Sequence, residues 1–143
     1  MKILSLDTSS NHFSLALIDG KKVLALKTVK NDRVLSSKII PALESLFKKA
    51  GLAPEGIDGI AVGLGPGSFT SLRVGVSTVK GLAFALEKPL IGVPSFDSVA
   101  HEVRHVDEDQ VCVVSDAKRG LVYAAVYEWK NGSPIRVSDF LLL

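Results

Sequence analysis

A unit made of a strand, an aspartate, a polar turn and a second strand occurs twice in the sequence. The first copy joins residues 4–7 to residues 13–17, and the second joins residues 113–116 to residues 122–126. When the two aspartates, Asp7 and Asp116, are aligned, Phe13 coincides with Val122. A chain that carries this hairpin twice is predicted to build two related lobes.

Between the two copies, hydrophobic periodicity and turn residues predict alternating strands and helices. The predicted strands cover residues 2–7, 13–18, 23–29, 59–64 and 90–93, and the predicted helices cover residues 36–50, 71–86 and 95–105. Together with the duplicated unit, this order predicts an α/β chain with an actin-like, sugar-kinase-like ATPase fold, which contains a ribonuclease H-like motif. We expect a first domain at 1–106 and an incomplete second lobe at 107–143, too short for a core of its own.

Composition narrows the possible functions. The net charge is +2, and the 17 Lys and Arg residues are scattered, so no basic surface for nucleic acid is predicted. The one cysteine, Cys112, lies in an apolar run and is expected to be a small buried residue. With no signal peptide and no apolar run of about 18 residues, the expectation is a cytoplasmic protein with no membrane partner.

A glycine-rich loop follows the strand at 59–64. Gly63, Gly65 and Gly67 permit close backbone approach, and hydroxyl residues after them can cap the next helix, where anions are favoured. The loop lacks the lysine of a P-loop and the third glycine of a dinucleotide fingerprint. Phosphate binding and a tight strand–helix turn both remain open.

Residues 65–75, Gly-Pro-Gly-Ser-Phe-Thr-Ser-Leu-Arg-Val-Gly, resemble the signature of the TsaB (YeaZ) family, as do residues 3–9 and 116–123. This chain departs from the family pattern at Ser71, at Lys118 and where Leu35 and Ser36 replace a His-Ser pair. Members of that family also run on for tens of residues past the position of Leu143.

The resemblance implies the same actin-like fold and a role that is not enzymatic. It implies a scaffold or activating subunit for a TsaD-like enzyme, which installs threonylcarbamoyl on adenosine next to the tRNA anticodon. A TsaE-like ATPase would complete the complex, and tRNA would be met indirectly. The expected cofactor set of this chain is none, because ATP in the complex would be bound mainly by its partners.

Asp7, Thr8 and Ser9 lie at a strand end where an actin-like fold places a phosphate loop. They are candidates for a vestigial cofactor site or for an Asx/ST turn that closes the hairpin. The alternative function attached to them is a stand-alone ATPase or phosphotransferase, although the loop lacks the glycine-rich tip and basic residue of such enzymes.

His101 and His105 belong to an HExxH pattern typical of zinc peptidases. On a helix, both histidines fall opposite an apolar stripe that contains Phe96, Val99 and Val103, so they are expected to face solvent. A glycoprotease-like zinc peptidase is therefore the less favoured alternative, and we predict neither a metal site nor catalytic residues.

The two long helices are predicted to bind partners. The first has a broad apolar arc, and the second is apolar almost all round, which indicates burial on more than one side. The resemblance implies that these helices contact a TsaD-like partner and, when the chain is alone, a second copy. The predicted interface residues are Leu35, Ile39, Leu43, Phe47, Leu72, Arg73, Gly75, Val79 and Leu82.

Overall fold

The computed structural model describes residues 1–30, 35–103 and 110–143. Nine strands and three α-helices are found in these ranges, with a short 3₁₀ turn at Pro54–Gly56. In chain order the elements are β1 (Lys2–Asp7), β2 (His12–Asp19), β3 (Lys22–Lys30), α1 (Leu35–Ala50), β4 (Gly59–Gly63), α2 (Phe69–Leu86), β5 (Leu90–Val93), α3 (Ser95–Glu102), β6 (Gln110–Lys118), β7 (Leu121–Lys130), β8 (Ser133–Arg136) and β9 (Leu141–Leu142).

The first sheet has the strand order β3-β2-β1-β4-β5. β1, β2 and β3 pair antiparallel as consecutive hairpins, whereas β1, β4 and β5 pair in parallel. Parallel neighbours require crossover connections, and α1 and α2 supply them. Gly20 turns the second hairpin with a φ of +57°. This mixed sheet confirms the predicted α/β fold with its ribonuclease H-like motif.

The main core lies between this sheet and the two long helices. Alternate residues of β2 point toward α1, so that Phe13, Leu15 and Leu17 are fully buried. The apolar arc of α1 meets them with Ile39 and Leu46. α1 ends where Gly51 adopts a φ of +63° and its N–H bonds back to the carbonyl of Lys48.

The second lobe is a four-stranded sheet covered on one face by α3. β7 pairs with β6 on one side and with β8 and then β9 on the other. Its core contains Phe96 and Ala100 from α3 together with Val113, Ala125 and Tyr127. The predicted domain boundary at 106/107 lies outside the described residues. By its packing, α3 joins the second lobe even though it precedes that boundary.

The repeated hairpin is confirmed, but its predicted alignment is wrong by one residue. Asp7 pairs with Ser14 in the first copy, and Asp116 pairs with Val122 in the second. Val122 therefore corresponds to Ser14 rather than to Phe13. Fewer residues separate Asp116 from Val122 than separate Asp7 from Ser14, so the turn of the second copy is the shorter one. Residues 118–120 of this tight turn all adopt positive φ.

Three burial predictions are wrong. Cys112 is exposed because alternation along β6 turns Val113 toward α3 and points Cys112 and Val114 to the opposite face. The apolar run at residues 90–93 predicts a buried strand, but β5 is an edge of the first sheet, and Ile91 is 63% exposed. Val99, placed on the apolar stripe of α3, is also exposed. Among the described residues, no helix is both long and apolar enough to cross a bilayer.

Replacing Tyr127 with Phe is expected to destabilise the second lobe by about 1–3 kcal/mol. The buried hydroxyl donates a 2.7 Å hydrogen bond to Asp97, and burial, followed by the bond to Asp97, raises the pKa of Tyr127. The folded state therefore holds this proton more tightly than the unfolded chain. The wild-type advantage should be complete below about pH 10 and shrink above it.

Urea unfolding at pH 7 and at alkaline pH measures this difference. Tyr123→Phe, on the same strand, is the control for loss of a hydroxyl. Equal stability of Tyr127→Phe and wild type at pH 7 would contradict a structural role for the bond.

Candidate functional site

The carboxylate of Asp7 is fully engaged within the chain. Its Oδ1 accepts a hydrogen bond from the backbone N–H of Ser9 at 2.7 Å, and its Oδ2 accepts one from the Ser95 hydroxyl at 2.5 Å. A Cβ added at Gly63, on the neighbouring strand β4, would overlap this carboxylate. The glycine therefore makes room for Asp7, which closes the turn after β1.

Thr8 joins the end of β1 to α2. It is 1% exposed, and its hydroxyl donates a 2.8 Å hydrogen bond to the carbonyl of Ser71. A Cβ at Gly75 would overlap the Thr8 side chain. A glycine on an apolar helix predicts close approach of another helix, and at Gly75 this prediction is wrong. The close approach at this position is between α2 and the end of a strand.

The glycine-rich loop carries the chain from β4 into α2. Gly65 has a φ of +87°, and a Cβ at Gly67 would overlap the carbonyl oxygen of Ser9. The next N–H, that of Ser68, donates to the same carbonyl at 3.1 Å. Ser68 also caps α2, since its hydroxyl accepts from the N–H of Ser71. The predicted hydroxyl cap is confirmed, and the helix begins at Phe69.

A cleft of about 800 Å³ separates the two lobes. The loop after β1, the start of α2 and the tip of the β6–β7 hairpin line it. At that tip Asp116 repeats the geometry of Asp7, accepting from the N–H two residues later, that of Lys118, at 2.7 Å. The Lys118 ammonium also pairs with Asp116 at 2.8 Å, and these two bonds lower the pKa of the carboxyl. Lys118 and Asp116 thus form an ion pair at the surface.

Most of the predicted interface residues lie in the core. On α1, the apolar arc faces the sheet, so its four predicted residues are only 2–6% exposed. On α2, Gly75 and Val79 are buried, while Leu72 and Leu82 are half-buried. The buried residues on α1 are Leu35, Ile39, Leu43 and Phe47. Of the nine predicted residues, Arg73 alone is exposed.

A different face of α2 is open to solvent. Phe69 is 73% exposed and Phe84 is 88% exposed, and Arg73, Ser77 and Gly81 lie between them at spacings of three to four residues. The Arg73 guanidinium lies over the Phe69 ring, 5.4 Å from its centroid. We call these five residues the α2 stripe. Sequence reasoning missed its two phenylalanines, although the helical spacing of the exposed positions was visible.

The HExxH pattern is described only in part. His101 is exposed at the end of α3, and its ring meets that of Trp129 edge-on with centroids 6.3 Å apart. His105 lies outside the described residues. Within residues 1–30, 35–103 and 110–143, no group of three or more His, Cys, Asp or Glu side chains is placed to hold a metal ion.

Comparison with solved structures and family models defines the class of protein. The fold is shared with the activator of 2-hydroxyisocaproyl-CoA dehydratase from Clostridium difficile (TM-score 0.57, 19% identity, 100% of this chain and 46% of that one). The family model described as TsaD, tRNA N6-adenosine threonylcarbamoyltransferase, matches residues 28–135. The chain is thus an actin-like-fold protein of the group that this model describes.

Nearer relatives identify the family within that group. YeaZ from Pseudomonas aeruginosa superimposes with a TM-score of 0.88 at 30% identity, covering 99% of this chain and 67% of that one. The tRNA threonylcarbamoyladenosine biosynthesis proteins TsaB of Bacillus subtilis and Escherichia coli are 36% and 33% identical over 92% and 90% of this chain. The chain belongs to the TsaB (YeaZ) family. It spans 57% and 55% of the length of these two curated relatives.

Two glycines of α2 are expected to respond oppositely to alanine. Gly75→Ala should destabilise the protein, because the new Cβ overlaps Thr8. Gly81→Ala should stabilise it by up to about 1 kcal/mol, since nothing lies within 4 Å of the added Cβ and alanine favours helix. Thermal unfolding of both variants beside wild type tests the pair, and a stable Gly75→Ala would contradict the packing described for Thr8.

Proposed function

We propose that this chain is a non-catalytic scaffold subunit in the biosynthesis of threonylcarbamoyladenosine in tRNA. The observation that carries the proposal is the α2 stripe, an exposed helix face with an aromatic residue at each end. The internal bonds of Asp7 and Thr8 support it, because they commit these two strand-end residues to closing a turn and holding α2.

The partners in this proposal are inferred from the names of the relatives. Relatives of this chain are named tRNA threonylcarbamoyladenosine biosynthesis protein TsaB, and another match, in Phytoplasma australiense, is named tRNA N6-adenosine threonylcarbamoyltransferase, at 36% identity over 65% of this chain and 33% of that protein. In the proposed complex this chain binds a TsaD-like enzyme. A TsaE-like ATPase and tRNA join through that assembly in the cytoplasm, and ATP is held mainly by the partners.

The α2 stripe has the chemistry of a protein-binding surface. Exposed aromatic side chains lose the most water on contact, and aromatic residues and arginine dominate binding energy at interfaces. Between the two phenylalanines, the exposed residues Ser77 and Gly81 are small. A partner helix can approach closely there, with Arg73 available to an acidic group at one end. When no enzyme is present, a second copy of the chain occupies the same surface.

Phe84→Glu is expected to abolish binding to the TsaD homologue while leaving the melting temperature within about 2 °C of wild type. The side chain is 88% exposed, so the new charge costs little in the free chain but must be buried in the complex. Affinity pull-down and titration calorimetry measure the loss, and light scattering should show a shift from dimer to monomer in the isolated chain.

The matched control is Val23→Glu, which introduces the same charge at another exposed apolar position, on β3. It should bind like wild type. A milder probe is Arg73→Ala, which should reduce affinity without changing stability. If Phe84→Glu and Arg73→Ala both bind as wild type does, the α2 stripe is not the interface.

A stand-alone ATPase or phosphotransferase is the second candidate, and the interlobe cleft with Lys118 and Arg119 at its rim is the observation that favours it. Titration of the unmodified chain with Mg-ATP separates the two candidates. The scaffold proposal expects no binding to the isolated chain at sub-millimolar nucleotide. Saturable binding that Asp7→Ala removes would favour the phosphotransferase.

A further inference from the structure

Ser95 connects three parts of the chain through one buried residue. It is the first residue of α3 and is 6% exposed. Its hydroxyl donates to Asp7 at 2.5 Å and accepts from the N–H of Gly65 at 3.0 Å. Its own N–H donates to the carbonyl of Gly65 at 2.8 Å. Ser95 therefore fastens α3 to the end of β1 and to the glycine-rich loop, both in the first lobe.

The residues that follow Ser95 are held by the second lobe. Phe96 packs in the second core and meets the ring of Phe140 edge-on at 6.0 Å. Asp97 accepts the hydrogen bond from the buried Tyr127 hydroxyl. Within three consecutive residues, the start of α3 thus passes from contacts with the first lobe to contacts with the second.

The sequence predicts a different use for the Ser95 hydroxyl. Serine before an apolar helical stretch normally caps the helix. Here the N-cap is Pro94, and no side chain caps α3, so the hydroxyl is directed to Asp7 and Gly65 instead. A hydrogen bond to a carboxylate is stronger than one between neutral groups, and burial makes its loss more costly.

Ser95 and Phe96 also line the interlobe cleft. Any rotation of α3 about its first residue moves the second lobe toward or away from the loop after β1. We propose that Ser95, Asp7 and Gly65 form a pin that sets the angle between the two lobes and, through it, the width of the cleft. Ser95 is a positioning residue in this sense, and the proposal is independent of any role in tRNA modification.

Pulsed electron spin resonance on the full chain tests the pin. One label is attached to Cys112, the one cysteine of the sequence, which is exposed on β6, and the other to Glu44→Cys on the exposed face of α1. In Ser95→Ala the distance distribution between the labels should at least double in width. The matched control is Ser98→Ala, which removes an exposed hydroxyl one turn along the same helix and should leave the distribution as in wild type.

Two further variants cover the case in which Ser95→Ala does not fold. Asp7→Asn keeps the shape of the acceptor but removes its charge, and it should also broaden the distribution. Ser95→Thr retains the hydroxyl and should restore the wild-type width. A wild-type distribution in Ser95→Ala, or in Asp7→Asn where only that variant folds, would overturn the proposal. Equal broadening in Ser98→Ala would overturn it as well.

Discussion

Each hairpin of the repeated unit carries an aspartate whose carboxylate accepts a hydrogen bond from the backbone N–H two residues later. The distance is 2.7 Å at both Asp7 and Asp116. Such a bond holds the turn without help from the rest of the chain. In the first lobe the second carboxylate oxygen bonds to Ser95, whereas in the second it pairs with Lys118. The turn of the first copy therefore also bonds to the start of α3, whereas the turn of the second copy bonds within itself.

Three glycines of the first lobe make room for the residues at this junction with α3. Gly63 leaves room for the Asp7 carboxylate, Gly67 for the backbone of Ser9, and Gly75 for the Thr8 side chain. All three face the same few residues at the end of β1. The loop that resembles a nucleotide-binding turn therefore has a packing explanation, and its conformation determines how α2 leaves the sheet and which face that helix presents.

Much of the fold could be predicted from the sequence, because hydrophobic period and turn residues determine each element locally. What escaped prediction depends on contacts between elements. The exposure of Cys112 follows from which face of β6 meets α3, and the one-residue shift of the second hairpin follows from three positive φ values in its turn. The hairpin of β7 and β8 is absent from the predicted elements, although its Asn131-Gly132 dipeptide is a strong local turn signal. Core residues of the helices could not be separated from candidates for a partner interface, since both are apolar.

The different surroundings of Gly75 and Gly81 on α2 have an evolutionary consequence. Gly75 is constrained by Thr8 of the same chain, whereas Gly81 borders only solvent in the isolated molecule. Across relatives, position 75 should covary with position 8 inside one gene. Under the scaffold proposal, position 81, together with Phe84, should instead covary with residues encoded by a separate gene, that of the proposed partner. Two faces of a single helix would in this way show independent patterns of compensating substitutions.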